Sequence, residues 1–376
     1  MRLPWGTVSK CGPIAQLNCY DYWMSASAPA TLPLFDNAQA WYGPEMARQD
    51  KWSRTLDEAN LAEIDAAIRH ALSRRIGPAA LRKEDFPLPG LAETLDEVRR
   101  ELLFGRGFFL LRGMPVERYS PLEAALAYLG IGSHLGEAVS QNGKGHILGH
   151  VKNLNLDIRD PEVRFYQTNA LLEFHSDFSD LVGLLCLRTS RTGGASSIVS
   201  STTVWNEMVK RRPDIAEAML GPIYYTRAGE VAPGMKRYSE MPAFTPWGGR
   251  MIAFYRSRTT AGKAQALPEV PRLTPKQREG MDFVEHLASD PGLRMDMDFR
   301  PGDIQLLCNH YVLHSRSAYE EWPEPDRRRH LLRLWLACAD GPEIPPFMLA
   351  DGRTSAGRPN GILIPGMPLR APLDAE

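Results

Sequence analysis

The run Gly302-Asp-Ile-Gln-Leu-Leu-Cys-Asn-His-Tyr-Val-Leu-His-Ser-Arg316 decides how the second half of the chain is read. It opens on a Gly-Asp turn signal, continues as a short apolar segment, and presents a histidine, His314, just past the expected strand end. His310 and His314 are four apart and would share a face if the run were helical, as in the His-Glu-x-x-His helix of a zinc protease. The glutamate that would serve as base there is missing, and the turn before the run argues for strand. A buried strand ending in a histidine would deliver an imidazole to the mouth of a barrel.

Outward from this run the texture is one of short strands separated by turn signals. His146–Val151, Phe165–Phe174, Leu181–Leu187, Ser196–Ser200, Met251–Tyr255, Leu293–Phe299, Ile304–Leu307 and Arg329–Ala337 are the expected strands, with helical insertions near Thr203–Arg211 and Thr274–Ser289. Eight or so strands with long insertions suggest a two-sheet jelly roll. Upstream, Thr55 and Glu58 have capping-box spacing ahead of an apolar stripe at Leu61, Ile64, Ile68 and Leu72. A second helix is expected over Leu91–Leu103, a buried strand between Gly107 and Gly113, and a third helix over 120–130. The expected fold class is mainly β with peripheral helices, α+β. Residues 1–54 read as an irregular N-terminal arm, 55–344 as a single domain, and 345–376, rich in Pro and Gly, as a surface tail.

Composition narrows the function classes. With 44 Lys and Arg against 45 Asp and Glu, the chain carries no electrostatic footprint for nucleic acid or an anionic membrane. No stretch approaches the roughly 18 apolar residues of a membrane span, and the N-terminus lacks a signal-peptide apolar region. Five cysteines, Cys11, Cys19, Cys186, Cys308 and Cys338, are odd in number and have no Cys-x-x-Cys pair, which suits reduced thiols in a cytoplasmic protein. The expected partner is a small-molecule substrate; oligomeric state is not legible.

Within the strand region, His175 and Asp177 of Leu171-Leu-Glu-Phe-His-Ser-Asp177 fall on one face of an extended chain. A third ligand from elsewhere would complete a set of two imidazoles and one carboxylate. An iron(II) site of that kind keeps positions open for a chelating co-substrate and O2. Past His314, Arg329-His-Leu-Leu-Arg-Leu-Trp335 places Arg329 and Arg333 on one face of an apolar strand. Guanidinium groups buried there would require anions, and they bind carboxylates bidentately.

Five landmarks in order, Gly107-FFLLRGM-Pro115, LLEFHSD over 171–177, TGGASS over 192–197, the 302–319 block and RHLLRLWL over 329–336, resemble the taurine dioxygenase and clavaminate synthase-like group of Fe(II)/2-oxoglutarate oxygenases. The resemblance covers Phe108 to Ala337 and implies a double-stranded β-helix. It implies His175, Asp177 and His314 as iron ligands, and Arg329 with Ser196 as partners of the distal carboxylate of 2-oxoglutarate. Arg333 falls where the family grips an acidic group on the substrate, and Gln141 resembles a glutamine near substrate and co-substrate. Two departures keep Ser197 and Arg328 as alternatives: the stretch at 193–196 lacks the family's acidic residue, and the interval from His314 to Arg329 is long. The carboxylate at Asp177 favours hydroxylation over halide transfer. The LEFHSD stretch looks like the branch that acts on amino acids, so a small, carboxylate-bearing or amino-acid-like substrate is expected.

The alternatives are a non-catalytic jelly-roll binding protein, which would show no iron–2-oxoglutarate absorption, and a zinc hydrolase built on His310 and His314. The glycines of Gly143-Lys-Gly-His-Ile-Leu-Gly149 have the wrong spacing for a dinucleotide loop.

Overall fold

At Gly302 the chain turns with φ 86°, and a Cβ there would lie 2.0 Å from the Met114 carbonyl oxygen, so only glycine fits. The Asp303 carboxylate closes the turn, accepting from the Arg300 N–H at 3.0 Å and from Arg112 Nη1 at 2.6 Å. Strand Ile304–Cys308 follows with all five residues buried. At roughly 1.5–3 kcal/mol per fully buried leucine, burying Leu306 and Leu307 favours this placement by about 3–6 kcal/mol. A turn through His310 then leads into another strand, Val312–Arg316, which belongs to a different sheet. His314 therefore lies inside a strand rather than beyond the end of one.

The computed structural model describes residues 31–160, 162–349, 352–354, 357–359 and 361–375. Residues 1–30 of the expected N-terminal arm, with Cys11 and Cys19, lie outside the described residues. The rest of that segment includes a helix, Gly43–Ala47, and a strand, Ser53–Thr55.

Two sheets face each other. The larger runs Ser53–Thr55, Phe108–Arg112, Ile304–Cys308, Leu181–Arg188, His330–Ala337, with Glu137–Ala138 and Leu148–Val151 both pairing the last strand. The smaller runs Met295–Met297, Ser196–Ser200, Val312–Arg316, Leu172–His175. Successive strands cross from one sheet to the other, giving the expected double-stranded β-helix with helices on its flanks. Helices Leu91–Phe104 and Pro121–Leu135 pack on the larger sheet; Ser201–Arg211 and Pro275–Ala288 pack against the smaller.

Three local expectations change. The first long helix, Glu58–Ser73, is capped by Asp57 and Asn60, which exchange side-chain and backbone hydrogen bonds, whereas Thr55 belongs to the preceding strand. The expected strand Phe165–Phe174 starts only at Leu172. Its first residues form a 3₁₀ turn, held by the Arg164 N–H donating to Gln167 Oε1 and the Thr168 hydroxyl to the Phe165 carbonyl. The segments Gly229–Trp247 and Ala261–Pro271, which fall between the expected strands and helices, contain structure of their own. A hairpin pairs Pro222–Thr226 with Tyr238–Pro242, a second pairs Phe244–Trp247 with Arg250–Ala253, and a helix spans Arg258–Gln265.

Past Pro345 the chain returns to the body. Arg358 is buried, and its Nε donates to Asp180 Oδ2 at 2.9 Å. Asp180 also accepts from His310 Nε2 and the Cys338 N–H, each at 2.8 Å. Further along, the Ile147 N–H donates to the Arg370 carbonyl at 2.8 Å.

Candidate metal centre

Strands Leu172–His175 and Val312–Arg316 pair so that His175 and His314 are direct cross-strand partners, which project to one face. Their ring centroids are 4.2 Å apart. The strand ends at His175, but the alternation continues: Ser176 turns to the Tyr255 carbonyl, to which its N–H donates at 2.7 Å, and Asp177 comes back beside His175. Asp177 Oδ1 lies 4.0 Å from His175 Nε2, and Oδ2 lies 4.0 Å from His314 Nε2. One ligand atom from each residue falls within 4.8 Å of the others.

The three side chains are oriented from behind. His175 Nδ1–H donates to the Glu173 carbonyl at 2.9 Å, which leaves Nε2 as the free lone pair. The Asp177 N–H donates to Asn309 Oδ1 at 2.9 Å, while Asn309 Nδ2 donates to the carbonyl and hydroxyl of Ser179. Burial opposes ionisation of Asp177, but Arg333 and the two histidines outweigh it and hold its carboxyl well below the usual carboxylate range. Burial, then the neighbouring His175, pushes His314 down to about 3; burial also lowers His175. Asp177 Oδ2 and His314 Nδ1 are buried with no hydrogen-bond partner. Two neutral imidazoles and an ionised carboxylate with an unsatisfied oxygen are a donor set that fits a divalent metal.

His310 does not join them. Its Nε2 is committed to Asp180, and among the described residues the metal-competent group contains only His175, Asp177 and His314. That removes the geometric basis for a zinc site on His310 and His314. Residues 143–149 lead into strand Leu148–Val151 without a following helix, unlike a dinucleotide loop.

Arg329 is buried at the start of the His330–Ala337 strand, and its Nη1 has no partner. Arg328 instead is half-buried and donates to the Pro323 carbonyl at 3.4 Å. The long interval from His314 is taken up by the Tyr319–Glu320 strand, which pairs with Thr192–Gly193, and by a 3₁₀ turn at Pro325–Arg327. Arg316, two residues past His314 on the same face, is also buried; its Nη1 donates to the Thr168 carbonyl at 2.9 Å, and its Nε has no partner. The guanidiniums of Arg316 and Arg329 lie over the Tyr319 ring at 4.6 and 5.1 Å. Burial, then Arg329, pushes Arg316 down to about 10, with Tyr319 and Glu321 acting in the other direction. Ser196 is the direct cross-strand partner of Arg316, and its buried hydroxyl meets Gln305, whereas Ser197 points to Asp296 on the other side of the strand.

Beside the three ligands opens a cleft of ≈ 690 Å³, counted with its mouth, lined by His175, Asp177, Arg333, Trp335 and residues of three surrounding segments. Arg333 Nη1 lies 3.6 Å from Asp177 Oδ1, and its guanidinium sits over the rings of Tyr166 and Trp335. Gln141 is placed differently from the expectation of direct substrate contact. It is buried behind Arg333, taking Nε–H of Arg333 on Oε1 at 2.7 Å and donating to the carbonyls of Ile147 and Arg333. Its amide is fully occupied there, so its influence on the cleft passes through Arg333.

The sequence profile of the taurine catabolism dioxygenase TauD, TfdA family matches residues 71–335. The chain belongs to this family. As a TauD, TfdA family member it is a 2-oxoglutarate-dependent oxygenase that uses Fe(II), with 2-oxoglutarate and O2 as co-substrates. It is 29% identical over 329 residues to the FR-33289 synthase of Streptomyces rubellomurinus (strain ATCC 31215), covering 85% of this chain and 95% of that protein. It is 28% identical to the taurine hydroxylase-like protein SAT17 of Stachybotrys chartarum (strain CBS 109288 / IBT 7711), covering 80% and 78%. In fold it resembles an asparagine oxygenase solved with Fe(II), 2S,3S-3-hydroxyasparagine and succinate, at TM-score 0.59 and 18% identity, covering 83% of this chain and 99% of that one. Among the described residues no helix is long and apolar enough to cross a membrane.

Proposed function

We propose that this family member oxidises an aliphatic C–H bond of a small anionic molecule, with hydroxylation as the outcome and succinate and CO2 as co-products. His175, Asp177 and His314 hold the iron, and Arg329 and Arg316, with Ser196, receive the distal carboxylate of 2-oxoglutarate. Bound Fe(II) supplies the redox chemistry that couples decarboxylation of 2-oxoglutarate to C–H oxidation. The observation that carries the reading is the pairing of two unmet needs: a buried three-ligand set with an orphaned carboxylate oxygen, and two buried arginines with orphaned nitrogens. One asks for a cation and the other for a carboxylate, and a chelated 2-oxo acid joins the two.

The chain's own contributions are positional. Glu173 and Asn309 orient His175 and Asp177 before the metal enters. Arg333 holds Asp177 from the cleft side and turns toward substrate, with Gln141 bracing it from behind. Tyr166 and Trp335 shield this contact from water. The carboxylate of Asp177 occupies the position a halide would need, which favours hydroxylation.

The test is anaerobic addition of Fe(II) and 2-oxoglutarate, which should produce a weak visible charge-transfer band, together with the His175→Ala variant. That variant should lose the band, iron binding and substrate-dependent succinate formation. Retention of iron binding and succinate formation in His175→Ala would refute the ligand assignment.

A further inference from the structure

Residues 361–375 lie beyond the 71–335 stretch matched by the family profile, yet their backbone is tied to the body near both ends. The Ile362 N–H donates to the Ser140 carbonyl at 2.9 Å and the Arg370 N–H to the Gly145 carbonyl at 2.8 Å, while the Ile147 N–H donates back to the Arg370 carbonyl at 2.8 Å. His150 Nε2 donates to the Pro372 carbonyl at 2.9 Å, and Lys152 pairs with Asp374 at 3.2 Å. Two glycines permit this close approach. Gly361 has φ 68° and Gly145 φ 79°; a Cβ would collide with the Ser140 carbonyl oxygen at the first and with the Pro368 carbonyl oxygen at the second. The stretch gripped in this way, 140–147, is the one whose Gln141 braces Arg333. On its inner side this strap meets the cleft. Gly361, Ile362 and Leu363 form part of the wall of a lobe of ≈ 530 Å³, counted with its mouth, which shares Arg164, Thr226 and Arg256 with the cleft beside the metal ligands. At the junction Arg164 is ion-paired with Glu230, and the Asp177 carboxylate offsets part of the charge of Arg256. Away from it the lining is mainly apolar: Phe178, Ala232, Met235 and Phe254 join Ile362 and Leu363, with Arg227 and Ser239 adding polar groups. Phe178 directly follows the ligand Asp177 and packs edge-on against Phe254, with ring centroids 5.5 Å apart.

We propose that this C-terminal strap is a specificity element of the oxygenase: Ile362 and Leu363 close the outer end of the lobe and set the length of the aliphatic chain that the substrate carries away from the iron. Leu363 is 41% exposed and Ile362 half-buried, so both keep apolar surface for a chain to cover. Each methylene buried in the lobe adds affinity, and a chain that overruns the strap either bends back or pushes it from its backbone partners. The hydrogen bonds at Ser140 and Gly145 make that displacement costly, which is what turns a surface segment into a stop. A strap that only staples the chain end would leave the chain length accepted by the cleft indifferent to its side chains. The inference rests on reading the cleft as the substrate site of the oxygenase.

The experiment uses the anaerobic Fe(II) enzyme saturated with 2-oxoglutarate, and straight-chain carboxylates from butyrate to dodecanoate as probes. Dissociation constants are read calorimetrically, and perturbation of the charge-transfer band reports binding beside the metal. In the unmodified enzyme affinity should rise about fourfold per methylene and stop rising at the length that reaches the strap. Leu363→Ala and Ile362→Ala should each move this break to chains about one or two carbons longer, with the 2-oxoglutarate titration unchanged. Gly361→Ala, which lifts the strap from Ser140, should remove the break. Leu363 is exposed enough for its truncation to cost little stability, so the test survives if the other variants fail to fold. A break at the same carbon in the variants and the unmodified enzyme would overturn the proposal, as would a series with no break in the unmodified enzyme. Absence of the band in the unmodified enzyme would instead refute the proposed function; the calorimetric series does not need the band, so the two failures are distinguishable.

Discussion

Replacing Arg329 by Met should separate ligand binding from stability by moving them in opposite directions. Arg329 is 4% exposed, its Nη1 meets no acceptor, and the internal hydrogen bond it makes is from its backbone N–H to Glu321 Oε2 at 2.9 Å. Burial pushes its guanidinium down from the usual value. Without a bound carboxylate it is a desolvated cation with little in return, and exchanging such a group for an apolar one is neutral or stabilising by about 1–4 kcal/mol. With 2-oxoglutarate present, the variant forfeits a buried charge-assisted contact of about 2–5 kcal/mol, roughly 30-fold to more than a thousand-fold in affinity. The assay is an anaerobic titration of the Fe(II) protein with 2-oxoglutarate, followed by the visible band, alongside thermal unfolding without 2-oxoglutarate. Unchanged or raised Tm with a large loss of affinity is expected. A lowered Tm with an unchanged titration would show that Arg329 is a structural residue and that the carboxylate site lies elsewhere.

Other substitutions probe the supports. Asn309→Ala removes the acceptor for the Asp177 N–H and should weaken Fe(II) binding about 10- to 100-fold, measured by competition with a chelator, because it frees a ligand's backbone without removing the ligand. Gly194 has φ 73°, and a Cβ there would sit 3.1 Å from Arg329 Nε, so Gly194→Ala should raise the Kd for 2-oxoglutarate while leaving iron affinity intact. Arg358→Met strands Asp180 in the interior and should lower unfolding free energy by about 3–5 kcal/mol in urea. Asp180 also sets an acid limit. Burial opposes its ionisation, but His310 and Arg358 prevail and bring it to about 2. A depressed carboxylate contributes stability above its unfolded pKa, near 3.9, and that contribution, about 2 kcal/mol, is lost as pH falls from about 4 toward 2. His330, pushed down to about 3 by burial and then by His150, acts in the same direction from about 6.5 downward, since only the unfolded imidazole takes up the proton there. Urea midpoints should therefore fall from pH 7 to pH 4 through His330 and further from pH 4 toward pH 2 through Asp180, and a flat stretch in either window would contradict the environment of the residue that acts there.

What was legible in the sequence followed from short-range periodicity. Alternation along an extended chain predicts that His175 and Asp177 converge, and the same rule pairs His314 with Arg316, an arginine that becomes legible once the strand is known to run through His314. The expected choice of Ser196 over Ser197 is likewise a question of strand parity. Asp57 and Asn60 escaped notice because Thr55 and Glu58 offered an equally good capping spacing two residues earlier. Arg256, Arg164 and Arg358 left no such trace. Their places depend on packing between segments far apart in the chain, and a Pro- and Gly-rich composition gives no sign that Arg358 is buried.

The Asp180–Arg358 contact joins positions 178 apart and lies three residues beyond Asp177. During synthesis every metal ligand has emerged from the ribosome before the cation that neutralises this neighbouring carboxylate has been translated. A nascent or clipped chain ending before residue 358 would hold all the groups needed to recruit iron beside a buried carboxylate that keeps His310 and the Cys338 N–H but lacks its guanidinium partner. The carboxylate beside the metal ligands thus gains its guanidinium partner only once the chain has been made 44 residues past His314.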